Sequence, residues 1–283
     1  MILFLFACGF GNKDEACIGL CDTSDSASLY IDDSGQSDTD SDTPQDTADS
    51  SGCIPNHDAQ IERHEYPVEI GIQADFLRSN NTAINLEGTI QNGTYYWDFS
   101  SLSGQEQLES IEPRPSSEYW FAADFPSETY VNVLSYENSI YGIFSLTDEA
   151  LYLHGMASFE SGWTETLLSY DPPVRLLQFP LHLNQSWSDE SSISGTLDGV
   201  WTFYSELYSH QIDETGYLNT PLGEFPVLRI NSQISRTIGL LEYSNRSVSF
   251  MSECAGAITT IQAELDEADV NFQMAQELLR IAP

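Results

Sequence analysis

Apolar and polar residues alternate along much of the chain from residue 68 onward. Such alternation is typical of strands that bury one face. The first predicted strands cover residues 68–77, 83–90 and 94–99. Ser79-Asn80-Asn81 predicts a turn after the first of them, and Asn92-Gly93 predicts a tight hairpin turn before the third. The third strand places three aromatic side chains on one face: Tyr95, Trp97 and Phe99.

Further predicted strands follow at a spacing of about 8–12 residues, which is typical of an antiparallel meander. They cover residues 118–125, 129–136, 139–146, 150–158, 163–170 and 200–208. Residues 103–110 indicate one or two helical turns, which Pro113 would end. Residues 266–280 start with alternation and finish in good helix formers, so both states stay open there. We predict an all-β or mainly β domain over residues 53–283, an antiparallel curved sheet or half-open barrel with little helix.

A short signature lies in the second half of the chain. It consists of Phe179-Pro180-Leu181, Trp187, the run Thr220-Pro221-Leu222-Gly223-Glu224-Phe225 and Leu228-Arg229-Ile230. This order resembles uncharacterised bacterial envelope domains over about residues 175–257. The resemblance implies a curved sheet similar to the lipoprotein-carrier fold and implies no activity. Asn184 stands where those domains usually have glycine, but asparagine tolerates the left-handed conformation that the turn needs.

The residues of this signature are predicted to have structural roles. Pro221 and Gly223 predict a β-turn, and Phe225 and Leu228 are expected to anchor the strand that returns from it. Trp187 is predicted to be a core residue rather than a platform for a ligand.

The chain starts with an apolar run that ends in Leu5-Phe6-Ala7-Cys8, which resembles the lipobox of bacterial lipoproteins. The resemblance implies fatty acyl chains on Cys8 that anchor the protein to a membrane of the cell envelope, the outer membrane. Residues 1–7 lack the charge and the length of a complete signal peptide, so we interpret them as a truncated remnant. The alternative is that the cysteine is incidental.

Residues 8–52 predict a disordered acidic linker behind this anchor. Residues 22–52 contain nine aspartates and no lysine or arginine, so they bury too little apolar surface to offset the entropy of ordering. Asp38, Asp40 and Asp42 alternate as in a calcium loop, but the glycine and the final glutamate of such a loop do not follow. We predict no metal and no cofactor.

The charge of the chain restricts its partners. The formal net charge is −35, and residues 53–283 contribute −25 from 33 acidic and eight basic side chains. A surface this negative repels phosphate backbones, which excludes nucleic acid as a partner. It also disfavours docking on anionic lipid by charge alone.

Four cysteines remain beside Cys8, an even number that suits disulfide pairing in an oxidising compartment. We predict a bridge between Cys53 and Cys254, which closes a loop of about two hundred residues. The second predicted bridge is a local one between Cys17 and Cys21. A zinc site is the alternative, but the sequence has no Cys-x-x-Cys pair and no nearby pair of histidines.

Sequence motifs of catalysis are missing: no nucleophile elbow, zinc-protease helix or phosphate-binding glycine loop occurs. His154, on a strand face with Tyr152 and Met156, is predicted to be packed or at the surface. We predict that the protein is not an enzyme and that its curved sheet binds an apolar ligand or an envelope protein. No ligand-binding residue is singled out.

Two other functions stay open. A carbohydrate-binding or adhesive surface module would show a flat strip of exposed aromatic side chains. A hydrolase would bring two carboxylates together in a cleft with a raised pKa. An apolar ligand would instead require a cavity of several hundred cubic ångströms.

Overall fold

Strands make up about 60% of the described residues and helices about 4%. The computed structural model describes residues 53–135 and 138–283. The prediction of a mainly β fold with little helix is therefore confirmed.

Seventeen strands and three short 3-10 helices lie in these residues. The helices are Arg63–Glu65, Ser116–Glu118 and Ala122–Asp124. The strands are β1 (Gln60–Ile61), β2 (Ala74–Ala83), β3 (Thr89–Gln91), β4 (Thr94–Asp98), β5 (Gln107–Ile111), β6 (Arg114–Pro115), β7 (Tyr130–Ser135), β8 (Ile140–Leu146), β9 (Ala150–Ser158), β10 (Leu167–Gln178), β11 (Leu181–His182), β12 (Ser186–Leu197), β13 (Val200–Asn219), β14 (Glu224–Ile238), β15 (Leu241–Ser252), β16 (Gly256–Gln262) and β17 (Met274–Ile281).

Fifteen of the strands described here form one sheet, which is curved but not closed. Its main path is β5-β2-β17-β16-β15-β14-β13-β12-β10-β9-β8-β7-β6, and all neighbours along this path are antiparallel. Strand β4 departs from the predicted meander, because it pairs with β13 in parallel and with β3 in a hairpin. Strands β1 and β11 form a separate pair.

Long hairpins build the centre of the sheet from β12 to β15. Asp198 and Gly199 connect β12 to β13 with φ angles of 49° and 77°, the left-handed pair of a type I′ turn. At the next turn Thr220 and Gly223 exchange backbone hydrogen bonds of 2.8 and 3.1 Å around Pro221-Leu222. The β-turn predicted from Pro221 and Gly223 is thus present.

Several predicted elements near the start of the domain are wrong. Residues 79–81 do not form a turn, because β2 continues through them and pairs with β17 on both sides of Asn81. The turn signal is visible there only as a positive φ of 48° at Asn81. The strand predicted over residues 68–77 starts at Ala74, and the one over 83–90 is reduced to β3.

Other differences have simple causes. No strand forms over residues 118–125; two 3-10 helices, Ser116–Glu118 and Ala122–Asp124, lie there or next to it. Aromatic side chains of this segment pack with the hydrophobic cluster over β7 and β8. Residues 107–111 form the edge strand β5, where a helical turn was predicted. Of the undecided stretch over residues 266–280, the part from Met274 onward forms strand β17, which lies between β16 and β2.

The two sides of the central strands have different roles. Directly paired residues of antiparallel strands point to the same side of a sheet. We call the side that carries Ser188, Ser209 and Gln233 the front face, and the side that carries Trp187 and His210 the back face.

A hydrophobic cluster covers the front face near β4. Val248 and Phe250, paired with Asn231 and Arg229, pack there with Trp97 and other apolar residues of the same cluster. A second cluster, around Phe121, Val131, Ile143 and Ala157, lies over β7 to β9. The front face of β12 and β13 beyond these clusters is left uncovered by described residues.

The first described residues are tied to the C-terminal half of the sheet. Cys53 and Cys254 form a disulfide with a Cα–Cα distance of 5.4 Å, the pair that the sequence favours. Beside it, the backbone N–H of Cys254 donates to the carbonyl of Glu65 at 2.8 Å. A search of the described residues for a helix long and apolar enough to span a bilayer finds none.

Candidate functional site

The front face carries two rows of polar side chains across neighbouring strands. Both rows follow from the register of β12 to β15, in which small hydroxyls and amides occupy alternate positions. One row is Ser188, Ser209, Gln233 and Arg246, and the other is Ser186, Gln211 and Asn231. Most of these side chains are exposed or partly exposed, and Asn231 is buried.

These rows form the floor of a cleft with a volume of 450 Å³, which we call the polar cleft. Val270 lines it from the segment that precedes β17, and Asp213 lines it where the register of β13 and β14 shifts. Apart from Val270, the front-face side chains in it are polar. The cleft is therefore suited to a ligand that presents hydrogen-bonding groups.

A buried ion pair fixes one end of the polar cleft. Arg229 donates from Nε and Nη2 to the two carboxylate oxygens of Asp213, at 2.9 Å each. Its Nη1 donates to the carbonyl of Leu86 at 2.6 Å, and its guanidinium lies 5.6 Å from the centre of the Trp97 ring. Asp213 also accepts a short hydrogen bond from Nδ2 of Asn231. The charge of Asp213 is thus neutralised, and its position is fixed by three donors.

Two buried side-chain atoms on the front-face side of the polar cleft lack a hydrogen-bond partner among the described residues. They are Oδ1 of Asn231 and Nε of Arg246. Nη2 of Arg246 donates to Oε1 of Gln233 at 2.9 Å, so this guanidinium is held in place but only partly satisfied. Because buried polar atoms in folded proteins are almost always paired, these two atoms indicate a place for a ligand or for bound water.

An exposed apolar strip continues the same face toward the β12–β13 turn. Trp201, Phe203 and Leu207 alternate on β13 with exposed fractions of 73%, 66% and 44%. The uninterrupted register of β12 and β13 places them on the front face together with Ser209 and Gln211. Small hydroxyl side chains flank the strip: Ser192, Ser194, Thr196, Ser205, Ser235 and Thr237. We call Trp201, Phe203 and Leu207 the aromatic strip.

The aromatic strip and the polar cleft form one surface. Ten residues of β13 separate Trp201 from Gln211, which corresponds to about 33 Å along an extended strand. Trp163 is almost fully exposed in the loop whose backbone contacts the β12–β13 turn at Gly199. Because exposed apolar patches with polar borders are common at interaction sites, this surface is the candidate site.

The back face carries a packed polar core instead. His210 is 3% exposed, its ring stacks on Trp187 with centres 5.0 Å apart, and burial lowers the pKa of His210 to about 4. Trp187 is 7% exposed and donates from Nε1 to the carbonyl of Arg175 at 3.1 Å, so its predicted core role is confirmed. Nearby, buried Glu206 accepts from Tyr208 at 2.5 Å and from Arg236 at 2.7 Å. These packed and hydrogen-bonded groups stabilise the sheet.

A second cleft, of 620 Å³, lies on the back face next to the disulfide. Ile61, Leu228 and Met251 give it an apolar floor, and Tyr217 and Pro226 line it as well. His57, whose backbone N–H donates to Glu253 at 2.8 Å, lies at its border. We call this the apolar cleft.

The other predicted residues have mixed outcomes. Cys8, Cys17 and Cys21 lie outside the described residues, so their lipidation and pairing remain predictions. Asn184 has the left-handed conformation expected of it, with φ 67°. Nε2 of His154 lies 2.7 Å from Oγ of Ser145. Across the described ranges, no group of three or more His, Cys, Asp or Glu side chains is arranged to hold a metal ion.

The sequence pattern did not lead to a prediction of the polar cleft. The available signal was the alternation of serine and amide residues in β13 and β14, where a buried strand would have apolar residues. A comparison of the chain with protein-family models, with curated proteins and with solved structures finds no match.

Proposed function

We propose that this protein is a non-catalytic, lipid-anchored envelope protein that binds an extended saccharide chain along the front face of its sheet. Of the three functions considered from the sequence, this is the carbohydrate-binding one. The observation that carries it is the continuity of the aromatic strip and the polar cleft on one strand, β13.

A saccharide presents two kinds of surface, and the front face offers a partner for each. The C–H face of a sugar ring is apolar and packs on flat aromatic side chains, as an aliphatic surface does. Its hydroxyls need donors and acceptors, which Asn231, Gln233 and Arg246 supply. The strip lies open between small Ser and Thr side chains, so a chain can lie along it without a deep pocket.

Charge supports the same ligand class. Residues 53–283 carry a net charge of −25, which disfavours strongly anionic polymers as ligands. The predicted anchor at Cys8 and the acidic linker over residues 8–52 would hold the domain at the membrane and let it reach surrounding polymer.

Retention on immobilised polysaccharides tests this function. Wild-type protein is compared with Trp201→Ala and Phe203→Ala by affinity electrophoresis through gels that contain neutral or acidic polysaccharides. We expect each substitution to weaken retention about tenfold, since each removes most of an aromatic contact surface. Tyr217→Ala is the matched control, because Tyr217 is an exposed aromatic residue on the same strand that lines the apolar cleft.

The proposal fails if no polysaccharide retards the wild-type protein, or if Tyr217→Ala and Trp201→Ala weaken retention equally. Light scattering belongs to the same experiment. If the aromatic strip joins two copies of the chain, the wild type is a dimer, Trp201→Ala is a monomer, and neither is retained by the gel.

A second candidate function rests on the apolar cleft. Its volume and its floor of Ile61, Leu228 and Met251 suit an apolar ligand, the function placed first from the sequence. Mass spectrometry of solvent extracts from natively purified protein tests it, and the expected result is a co-purifying apolar molecule that Leu228→Trp excludes.

A further inference from the structure

We infer that the polar cleft recognises the neutral vicinal hydroxyls of a saccharide and discriminates against uronic acids, so that it determines which chain the aromatic strip holds. This inference rests on the proposed function and names the ligand class of the same surface.

The orientation of the Asn231 amide is determined by its neighbours. A carboxylate accepts hydrogen bonds and donates none, so the Nδ2 end of Asn231 must face Asp213. Arg229 holds Asp213 with two donors and fixes it in turn. Oδ1, an acceptor without a partner in the described structure, is therefore the group that Asn231 can offer to a ligand. Asn231 is 8% exposed, so only a group inside the cleft can reach this atom.

The second unsatisfied atom has the opposite character. Nε of Arg246 is a donor, and Arg246 lies on β15 diagonally across from Asn231 on β14. Diagonal neighbours in an antiparallel pair have Cα atoms about 7–8 Å apart, within reach of a long side chain. The cleft thus offers one acceptor and one donor to the same ligand.

This pair excludes charged groups of either sign. A hydroxyl both donates and accepts, so two adjacent hydroxyls satisfy Asn231 and Arg246 together. A carboxylate would satisfy Arg246 but would place lone pairs against Oδ1 of Asn231. An ammonium would satisfy Asn231 but would meet the charge of Arg246.

Acidic residues beside the polar cleft also oppose the binding of an acidic sugar. The segment that contributes Val270 also carries Glu264, Asp266, Glu267 and Asp269. At physiological salt, charges act over about 8 Å, so this segment opposes an acidic sugar that enters beside it.

The test measures binding of full-length protein to an array of neutral glucose, mannose and galactose oligomers and of galacturonate and mannuronate oligomers. Three variants are compared with the wild type. Arg246→Met removes the donor but keeps an apolar stem of similar length. Ser209→Phe fills the cleft from an exposed position and leaves the buried network intact. Trp201→Ala removes the aromatic strip.

We expect the wild type to bind at least one neutral oligomer about tenfold more tightly than any uronate, and Arg246→Met and Ser209→Phe each to weaken that binding about tenfold. Trp201→Ala should weaken binding of every oligomer that the wild type holds. Thermal melts show whether Arg246→Met folds; if it does not, Ser209→Phe carries the test.

Three results would overturn the inference. If uronates bind as tightly as neutral oligomers, or if both cleft variants keep wild-type affinity while Trp201→Ala loses it, the cleft does not select the ligand and the proposed function stands. If no oligomer binds at all, the proposed function fails and the inference fails with it.

Discussion

Acidification should destabilise this protein through one buried histidine, His210. On the back face its ring is 3% exposed, stacks on Trp187 and has Nδ1 2.8 Å from Oγ of Ser232. Burial is the main cause that lowers its pKa to about 4, from 6.5 in the unfolded chain. The folded protein therefore keeps His210 neutral under conditions in which the unfolded chain protonates it.

The charged groups around His210 do not change this direction. Asp189 raises the pKa of His210, and Arg175 lowers it. The two are joined by hydrogen bonds of 2.8–3.2 Å, so their effects on the imidazole largely cancel. The remaining close ring, Tyr208, lies 6.4 Å away. Desolvation is left as the dominant effect.

The sign and the size of the effect follow from proton linkage. Between pH 6.5 and about 4 the unfolded state binds a proton that the folded state does not, so stability falls as the pH falls through this window. Each pKa unit corresponds to about 1.36 kcal/mol, and a difference of about 2.5 units gives a loss of about 3 kcal/mol. Above pH 6.5 and below about pH 4 His210 contributes no further dependence.

Urea unfolding at four pH values between 7.5 and 4 measures this loss. The free energy of unfolding of His210→Gln is subtracted from that of the wild type at each pH, so that the titration of the many carboxylates and of His154 cancels. His182→Gln, which changes an exposed histidine, is the control. The difference should change by about 3 kcal/mol for His210→Gln and by almost nothing for His182→Gln. Equal pH dependence of wild type and His210→Gln would refute the reasoning.

Three further predictions concern the fold and the anchor. The bridge between Cys53 and Cys254 spans a sequence separation of 201 residues, so a reductant should destabilise the protein by about 5 kcal/mol. The melting temperature should fall when the reductant is added, and identical melts with and without it would contradict this. Gly216→Ala should cost about 1–3 kcal/mol in urea unfolding, because a Cβ at this position would lie 2.2 Å from the carbonyl of Tyr95 in the parallel neighbour β4. Cys8→Ala should move the protein from the membrane pellet to the soluble fraction of fractionated cells, whereas continued pelleting would argue against the lipid anchor.

Local patterns predicted some of the turns of the fold and missed others. The turn at Asn92-Gly93 needs positive φ angles, and these residues adopt 53° and 86°. Asn80-Asn81 is an equally clear local signal, yet β2 runs through it. There the pairing of β2 with β17, nearly two hundred residues away, outweighs the local preference. Long-range pairing of this kind leaves no trace in a local pattern, which is also why the parallel contact of β4 with β13 was not predicted.

The candidate site could not be predicted from the sequence, because it too depends on contacts between distant parts of the chain. Trp201 and Phe203 alternate visibly, but the pattern alone does not reveal which face of β13 is covered by other elements. Their exposure depends on where the segment around Trp97 packs, and that segment covers only the other end of the front face. The ion pair of Arg229 with Asp213 depends on the register shift in β13, which no local signal encodes.

Arg246 in the polar cleft differs from most other arginines of the domain in having no acidic partner among the described residues. Among the described residues, Arg78, Arg114, Arg175, Arg229, Arg236 and Arg280 each form an ion pair with a carboxylate. In a domain with 33 acidic and eight basic side chains, an arginine finds an acidic partner unless its surroundings exclude one. Arg63 donates to the carbonyl of Tyr66, and Arg246 donates to the amide of Gln233, with no ion pair to a described residue. Because serines and amides fill both rows around Arg246, its guanidinium keeps a donor free, and a neutral ligand can use that donor without displacing an acid.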